Sequence, residues 1–350
     1  MRFIKTDILE LLPDELEAEI ERLGEKKFRA KQIFDWLHIK KCENFDEMTN
    51  LSAQLRTTLE DNFCIKPLKI SKKLESTTDD TVKYLYGLSD GEFVESVLMK
   101  YKYGYSLCIS TQVGCAMGCK FCASTIGGKV RNLTAGEMLQ EYYTAQRQLD
   151  SGRIGNIVLM GIGEPLDNYD NVIRFIKLVT HKSGNNLSAR DITLSTCGLV
   201  PKILQLANEG LPITLSVSLH AATNMKRNEI MPVNKVYPLD KLISACKDFS
   251  SRTKRRITFE YSLIDNVNSA KSDAFELYEL LRGFNCHINL IPINYVKECG
   301  FVSSRKAAEQ FRIYLQELGL NATVRRTLGA DINAACGQLR REKAVAELCE

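Results

Sequence analysis

From residue 106 onward the chain alternates short apolar stretches with longer stretches of helical period, and this alternation restricts the folds open to it. Seven stretches have the length and composition of buried strands: SLCISTQ, NIVLMGIGEP, ITLSTCG, ITLSVSLHA, ITFEYSLI, HINLIPIN and ATVRRTLG. Between them lie segments of helical period, such as TAGEMLQEYYTAQRQL and PLDKLISACKDF. Repeated β-α units of this length predict a parallel sheet covered by helices. Periodicity alone does not say whether the sheet closes into a barrel.

The first part of the chain has a different period and predicts a small helical module. Apolar residues recur at helical spacing in three segments, at 14–23, at 28–37 and from near Phe45 to just before Cys64. The following stretches KISKKLES, TVKYLYGL and EFVESVLMKY alternate apolar and polar residues and are separated by the turn sequences TTDD and SDGE. The chain is therefore expected to form a helical domain over 1–66, a short antiparallel β extension over 67–100 and an α/β core over 101–350.

Composition sets the broad class of protein. The chain has 350 residues, of which 44% are hydrophobic, enough for one large core and a smaller one. The N-terminal sequence MRFIKTDILELLPDELE lacks the unbroken apolar stretch of a secretory signal, and no apolar run reaches the roughly 18 residues of a membrane span. Twelve cysteines without a dense disulfide framework suit a reducing compartment. We therefore expect a cytoplasmic protein with no membrane partner.

The charge of the chain does not identify a partner. The formal net charge is +4, and the basic clusters, for example at Lys26 and Lys27 and at Arg255 and Arg256, stand among a similar number of acids. Such clusters are found on ordinary solvated surfaces as well as on surfaces that bind nucleic acid. Charge alone therefore leaves an RNA partner open.

Polar residues follow several of the predicted strands. Because parallel strands end at one edge of a sheet, where such folds bind ligands, these residues are expected to share one rim. Each group by itself is equally explained as a turn. The groups are Gly163-Glu164-Pro165, Ser195-Thr196-Cys197, Ser218-Leu219-His220 and Pro292-Ile293-Asn294.

Three cysteines follow the first of these strands. Cys115, Cys119 and Cys122 stand in VGCAMGCKFC, a C-x3-C-x2-C spacing with no local candidate for a fourth ligand. Structural zinc takes four protein ligands, and the other cysteines include no second C-x2-C pair, although half of a zinc site or a chance cluster remains an alternative. An iron–sulfur cluster held by three cysteines leaves one iron open to an outside molecule. The motif therefore predicts a reactive cluster.

The cysteine spacing resembles that of the radical S-adenosylmethionine (SAM) enzymes, in which the open iron binds the amino and carboxylate groups of SAM and its reduction yields a 5′-deoxyadenosyl radical. One 4Fe-4S cluster, with three cysteine ligands and an exchangeable SAM, is then expected. For His220 a buried structural role is an equal alternative. The residues predicted to hold SAM are Gly163, Glu164, Ser195, Ser218, Leu219, His220 and Asn294.

A closer resemblance covers nearly the whole chain. The sequences CISTQVG, GGKVRNLT, MGIGEPLDN, LSTCG, SLHA, MPVN, NLIPIN and GADINAACGQL, with FRAKQIFDWLH and FDEMTNLS near the N-terminus, resemble the radical SAM adenine carbon-2 methyltransferases of large-subunit ribosomal RNA. The resemblance implies a partial (β/α)6 radical SAM barrel and an N-terminal domain that binds RNA. It also implies methylation of 23S ribosomal RNA at the peptidyl-transferase centre before the ribosome is finished, and of the transfer RNA adenosine 3′ of the anticodon. A flavodoxin with its reductase is the implied electron donor, and a monomer is the default state.

The same resemblance assigns three further roles. One SAM methylates Cys336, and a second SAM supplies the radical that takes hydrogen from this methyl group, so that the resulting methylene carbon adds to the adenine ring. Glu95 accepts the ring proton, and Cys108 attacks the sulfur of Cys336, releasing the product and forming a transient disulfide. Two departures from the family pattern are Cys197, where serine is common, and Asn333, where aspartate is usual.

Two alternatives to this function stay open at the level of sequence. A sibling group that methylates carbon 8 of the same adenosine and confers antibiotic resistance uses the same cysteines. A non-enzymatic metal-containing protein that binds RNA through its basic helices would need four metal ligands and would consume no SAM.

Overall fold

The computed structural model describes residues 5–293, 300–301 and 303–334 of the chain. Strands and helices alternate along the second half of this part, as the sequence predicts. The strands are β1 (Thr6–Asp7), β2 (Phe63–Cys64), β3 (Lys69–Glu75), β4 (Val82–Gly87), β5 (Phe93–Tyr101), β6 (Gly104–Cys108), β7 (Gln112–Gly114), β8 (Lys129–Asn132), β9 (Ile154–Leu159), β10 (Ile192–Thr196), β11 (Thr214–Ser218), β12 (Ile257–Leu263), β13 (Cys286–Pro292) and β14 (Ala322–Val324). The helices are α1 (Pro13–Arg22), α2 (Phe28–Asp35), α3 (Ala53–Asn62), α4 (Ala135–Arg147), α5 (Tyr169–Val179), α6 (Val200–Leu206), α7 (Asn224–Ile230), α8 (Leu239–Thr253), α9 (Lys271–Leu281) and α10 (Arg305–Glu317).

One ten-stranded sheet organises the molecule, in the order β14-β13-β12-β11-β10-β9-β6-β5-β4-β3. All pairings from β6 through β9 to β14 are parallel, so seven strands form the predicted parallel part. Each of the seven apolar stretches contributes one of these strands, and the predicted α/β fold is confirmed. The carboxyl ends of the parallel strands therefore meet at one edge, which is where the site is built.

The antiparallel extension continues the same sheet. Strands β3, β4, β5 and β6 pair antiparallel in succession, and the β5–β6 hairpin is tight, with Tyr101 opposite Gly104. Antiparallel neighbours bring directly opposed side chains onto one face of the sheet. Side chains from the extension thus lie beside those of the parallel core.

The N-terminal module consists of α1, α2 and α3, and the chain after α2 continues as one wide turn of π-helix at Trp36–Lys40. The third helix begins at Ala53, later than the start near Phe45 expected from the sequence. Local capping explains the difference. Asn44 and Glu47 cap each other's backbone amides around a short 3-10 turn, and the hydroxyl of Ser52 accepts from the Leu55 amide at the start of α3.

The helical module packs against the α/β core through a common set of buried residues. The Arg174 guanidinium on α5 donates to the Glu10 carbonyl at 3.0 Å and to the Glu15 carboxylate at 2.5 Å. His38 is fully buried, and its Nδ1 lies 2.7 Å from the Tyr143 hydroxyl on α4. One continuous apolar core includes residues of both parts. Within the described residues no helix is long and apolar enough to cross a bilayer.

Candidate active site

The three cysteines of the C-x3-C-x2-C motif lie in a loop held open by a small hairpin. Strands β7 and β8 pair antiparallel on either side of it, and the Cys115 amide donates to the Gly128 carbonyl at 3.2 Å. Inside the loop the Thr125 hydroxyl lies within hydrogen-bond distance of the Cys122 carbonyl, at 2.9 Å. Gly118 has a φ of 69°, a left-handed conformation that glycine adopts without strain. The loop is therefore shaped by hydrogen bonds to its backbone carbonyls and by the left-handed turn at Gly118.

The thiols of Cys115, Cys119 and Cys122 line one cavity. Burial raises the pKa of Cys115 to about 12 and that of Cys119 further, so deprotonated thiolates need a positive partner in this cavity. A zinc ion binds sulfur at about 2.3 Å and would gather its ligands closely, whereas an iron–sulfur cube binds three cysteines at three separate corners. The donor set fits a cluster.

The rim of this cavity is formed by the ends of neighbouring strands, as expected. Leu219 lies behind the rim, fully buried, with its carbonyl accepting from the Arg227 guanidinium at 3.0 Å. Asn294 lies outside the described residues. The predicted residues that line the cavity are Gly163, Glu164, Ser195, Ser218 and His220.

Glu164 is held by backbone amides from two directions. One carboxylate oxygen accepts from the Cys197 amide at 2.7 Å and the other from the Leu166 amide at 3.1 Å. The side chain is 3% exposed, and burial raises its pKa above the usual range although these bonds oppose the rise. The carboxylate is thus fixed in place at the cavity wall, joining the loop after β9 to the end of β10.

Gly163 is required by the protein's own packing. Its φ is 108°, and an added Cβ would lie 2.6 Å from the Cβ of Gln112. Gln112 in turn accepts from the Glu164 amide at 2.9 Å and donates to Asn132 and Asp167, each at 2.8 Å. The glycine therefore allows the cysteine hairpin to approach the loop that carries Glu164. Its predicted contact with SAM stays a prediction.

His220 combines a structural role with a place at the cavity. Its backbone φ is 57°, and its Nδ1 accepts from the Ser262 amide at 2.8 Å, which requires the tautomer protonated on Nε2. Burial lowers its pKa to about 3, and the charge of Arg227 acts in the same direction. The ring packs edge-on against Phe121 of the cysteine loop, 4.8 Å between centroids. His220 therefore presents a neutral imidazole and positions the loop.

Two buried charged residues at this site were not found from the sequence. Arg227 has no exposed surface and donates to the carbonyls of Cys197 at 2.7 Å and Ser218 at 3.0 Å. Glu260 lines the cavity and accepts from the Ser216 hydroxyl at 2.7 Å and from the side-chain amide of Asn289 at 2.9 Å. Arg227 lies in the helix-period segment NMKRNEI and Glu260 in a strand, so neither shows a local signal. Only their burial reveals them.

A second cavity adjoins the first. Cys108 lines it together with Val97 and Met99 of β5, which pair with Cys108 and Ser106 of β6. The wall common to the two cavities is formed by Phe121, Cys122, Met160, Ser262, Ile291 and Arg325. Cys336 lies outside the described residues, but Ala334, two positions before it, lines the second cavity. The structure thus places the proposed resolving cysteine beside the cluster loop.

Glu95 lies in the same strand and on the same sheet face as Val97 and Met99, because side chains two apart in a strand share a face. It is 3% exposed, and its carboxylate lies 3.7 Å from the Lys83 ammonium. The backbone carbonyl of Glu95 accepts from the Ser110 hydroxyl at 2.7 Å. The carboxylate therefore faces the side of the sheet that carries Cys108.

The parallel sheet and its three-cysteine cavity define a radical SAM protein. Residues 109–277 match the Radical SAM superfamily, and residues 6–65 match the ribosomal RNA large subunit methyltransferase N-terminal domain. Such a protein takes a 4Fe-4S cluster and SAM.

Full-length relatives identify the family. The chain is 51% identical over 330 residues to "Probable dual-specificity RNA methyltransferase RlmN" of Thermoanaerobacter sp. (strain X514), covering 94% of this chain and 96% of that protein. A protein of the same name from Clostridium perfringens (strain SM101 / Type A) is 52% identical over 336 residues, covering 96% of both. The crystal structure of a radical SAM methyltransferase from Sphaerobacter thermophilus superimposes with a TM-score of 0.92 at 41% identity, covering 95% of this chain and 98% of that one. The chain belongs to the RlmN family, which favours carbon 2 over the carbon-8 alternative and excludes a non-enzymatic module.

Proposed function

We propose that this protein methylates carbon 2 of an adenosine in the peptidyl-transferase centre of 23S ribosomal RNA, and the adenosine 3′ of the anticodon in transfer RNA. The observation that carries the proposal is the wall common to the two cavities. One cavity is lined by Cys115, Cys119 and Cys122, and the other is lined by Cys108 and by Ala334, two positions before Cys336. A radical formed in the first cavity is therefore separated from the second cavity only by the residues that line both.

The first cavity holds the cofactors. Cys115, Cys119 and Cys122 would bind three irons of a 4Fe-4S cluster, while Glu164 and the hydroxyls of Ser195 and Ser218 would hold SAM. When bound, the cluster and SAM supply a 5′-deoxyadenosyl radical. Two SAM molecules are used per turnover, one of them as the methyl donor to Cys336. The neutral His220 ring and the buried Arg227 keep the loop and the strand ends in place for this binding.

The second cavity performs the transfer to RNA. Cys336 carries the methyl group as a thioether, because carbon 2 of adenine is too electron-poor to attack SAM directly. The methyl carbon on Cys336 loses a hydrogen atom to the radical and bonds to carbon 2 of the ring. After the adduct has given its unpaired electron to a one-electron acceptor, the Glu95 carboxylate takes the ring proton. The sulfur of Cys108 then attacks the sulfur of Cys336, so that an S–S bond forms and the bond between the Cys336 sulfur and the methylene carbon breaks. The methylene carbon keeps the electron pair of the broken bond and takes a proton, which makes it the methyl group of the product. The disulfide must be reduced by an external donor before another turnover.

The proposed reaction also suggests roles for the domains of the chain. The helical domain over 1–66 binds RNA, the β extension over 67–100 carries Glu95, and the core over 101–350 carries both cysteine systems. The enzyme is further proposed to be cytoplasmic and monomeric and to act on RNA not yet in finished ribosomes. Flavodoxin with its reductase is the proposed electron donor.

Anaerobic reconstitution and nucleoside analysis test the reaction. The reconstituted protein should contain labile sulfide and convert a 23S RNA fragment to a product containing 2-methyladenosine, identified by mass spectrometry after digestion. A product methylated at carbon 8 would contradict the choice of carbon. Tightly bound zinc without labile sulfide, and no methylation, would contradict the enzyme.

The cysteine roles have their own test. Cys108→Ala removes the attacking sulfur, so protein covalently joined to RNA should accumulate and be visible as a band of reduced mobility in a denaturing gel. Cys336→Ala removes the methyl carrier and should give no such band. Equal crosslinking in the two variants would show that the roles are wrongly assigned. Cys197→Ser is a useful control, because it removes another thiol from the first cavity.

A further inference from the structure

A buried lysine connects the proposed base to the segment that leads to the methyl-carrying cysteine. Lys83 on β4 has no exposed surface, and its ammonium lies 3.7 Å from the Glu95 carboxylate on β5. Strand register explains the contact. Lys83 is opposite Val97 and Leu85 is opposite Glu95, so Lys83 and Glu95 are diagonal neighbours on one face of the sheet.

The same ammonium donates a hydrogen bond to the Asn333 carbonyl at 2.8 Å, across 250 positions of sequence. Asn333 belongs to a segment, 329–334, that is tied to the turn between β3 and β4. The Asp331 carboxylate accepts from the Ser76 hydroxyl and from the Thr77 amide, each at 2.7 Å, and the Gly329 amide donates to Asp79 at 2.9 Å. These bonds hold the pKa of Asp331 at about 2. We call residues 329–334 the docked segment.

The energetics favour a linked arrangement. An ammonium has three donors and no acceptor, so one lysine can serve a carboxylate and a carbonyl together. A buried charge is costly unless it is paired and hydrogen-bonded. The Asn333 carbonyl is available to Lys83 only while the docked segment is in place. The position of the Lys83 ammonium beside Glu95 is therefore tied to the presence of that segment.

We propose that Lys83 is a positioning residue that orients the Glu95 carboxylate for proton removal, and does so when the segment leading to Cys336 is docked. This inference rests on the proposed function, because it concerns the step at which the RNA adduct is resolved. Methylation of Cys336 needs no base at Glu95. Loss of Lys83 should therefore slow adduct resolution and spare the earlier step.

The test compares Lys83→Met, Glu95→Gln and the double variant, with Lys100→Met as a matched control. Lys100 lies on β5 and pairs with Asp80 at 3.3 Å, but it is exposed. Three quantities are measured: methylation of Cys336 by mass spectrometry, the decay rate of the RNA adduct in a single turnover, and amide hydrogen exchange of 329–334 in the metal-free chain.

Lys83→Met should leave Cys336 methylated and slow adduct decay by about 100-fold, the scale of general-base catalysis. The double variant should decay at the rate of Glu95→Gln alone, since the lysine acts through the glutamate. Amide exchange in 329–334 should rise in Lys83→Met and stay at the wild-type level in Glu95→Gln. Lys83→Arg, which keeps the charge, should restore decay to within about 10-fold of wild type.

The inference would be overturned if the RNA adduct in Lys83→Met decayed at the wild-type rate. It would also be overturned if the adduct in the double variant decayed more slowly than in Glu95→Gln by the full factor that the lysine change causes alone. Lys83→Gln repeats the comparison should the methionine variant not fold. Failure of the wild type to methylate RNA would instead overturn the proposed function. The exchange measurement on the metal-free chain reports on the link between Lys83 and the docked segment in either case.

Discussion

The requirement for glycine at position 163 can be tested quantitatively. Gly163→Ala adds a Cβ that would lie 2.6 Å from the Cβ and 2.9 Å from the backbone nitrogen of Gln112, at a φ of 108°. Gln112 cannot retreat freely, because its side chain bonds the Glu164 amide and the Asp167 carboxylate. The substitution must therefore strain the backbone and push apart the hairpin and the loop at the cavity wall.

Two costs contribute to the expected loss of stability. A left-handed conformation costs a non-glycine residue about 1–2 kcal/mol, and overpacking of a close-packed site costs about 1–3 kcal/mol more. Gly163→Ala should therefore lower the free energy of unfolding by about 2–5 kcal/mol. Gly210→Ala, at a φ of 66° with open space around the added Cβ, should cost only the conformational part. Gly155→Ala has neither problem and should be neutral or stabilising by about 0.5 kcal/mol.

Urea unfolding of the three metal-free variants, followed by circular dichroism, measures these differences directly. Iron content after anaerobic reconstitution then reports whether the distorted wall still accepts a cluster. If Gly163→Ala were as stable as Gly210→Ala, the contact with Gln112 would carry no energy and the reasoning would be refuted.

Two further predictions concern buried ionisable groups. Burial lowers the folded-state pKa of His38 to about 3. Between about pH 6.5 and 3 the unfolded chain therefore binds a proton that the folded chain does not, and the free energy of unfolding falls as the pH drops. His38→Gln should make that fall shallower by about 1.4 kcal/mol per pH unit in urea titrations at several pH values, and an unchanged slope would contradict the burial argument. Arg227→Met leaves the Cys197 and Ser218 carbonyls without their donor, so it should lower the free energy of unfolding by at least about 3 kcal/mol. Arg252 is exposed, and Arg252→Met should lower it by about 0.5 kcal/mol or less. Equal losses in the two arginine variants would show that burial of the guanidinium is not what matters.

Much of the fold could be predicted from local pattern. The seven parallel strands were found because strands buried on both faces are continuous apolar stretches, and the helical module was found because its apolar residues recur at helical spacing. The start of the third helix was missed because the capping pair Asn44–Glu47 closes a separate short turn before Ser52 begins α3. The continuity of the β extension with the core sheet was not predicted either, since strand order depends on pairing between distant segments.

The chemistry that was readable without a structure is the chemistry that local spacing encodes. Local pattern predicted the three cysteines as ligands of a cluster, placed the carboxylate of Glu164 after a strand and, through resemblance, indicated the family. The folded structure was needed to show that Gly163 makes room for Gln112, that Arg227 binds the ends of two strands, and that Lys83 joins Glu95 to Asn333. These contacts join residues that are far apart in the chain. The energy of burying a charge, or of adding a Cβ, depends on the side chains that surround it, and the fold brings those side chains together.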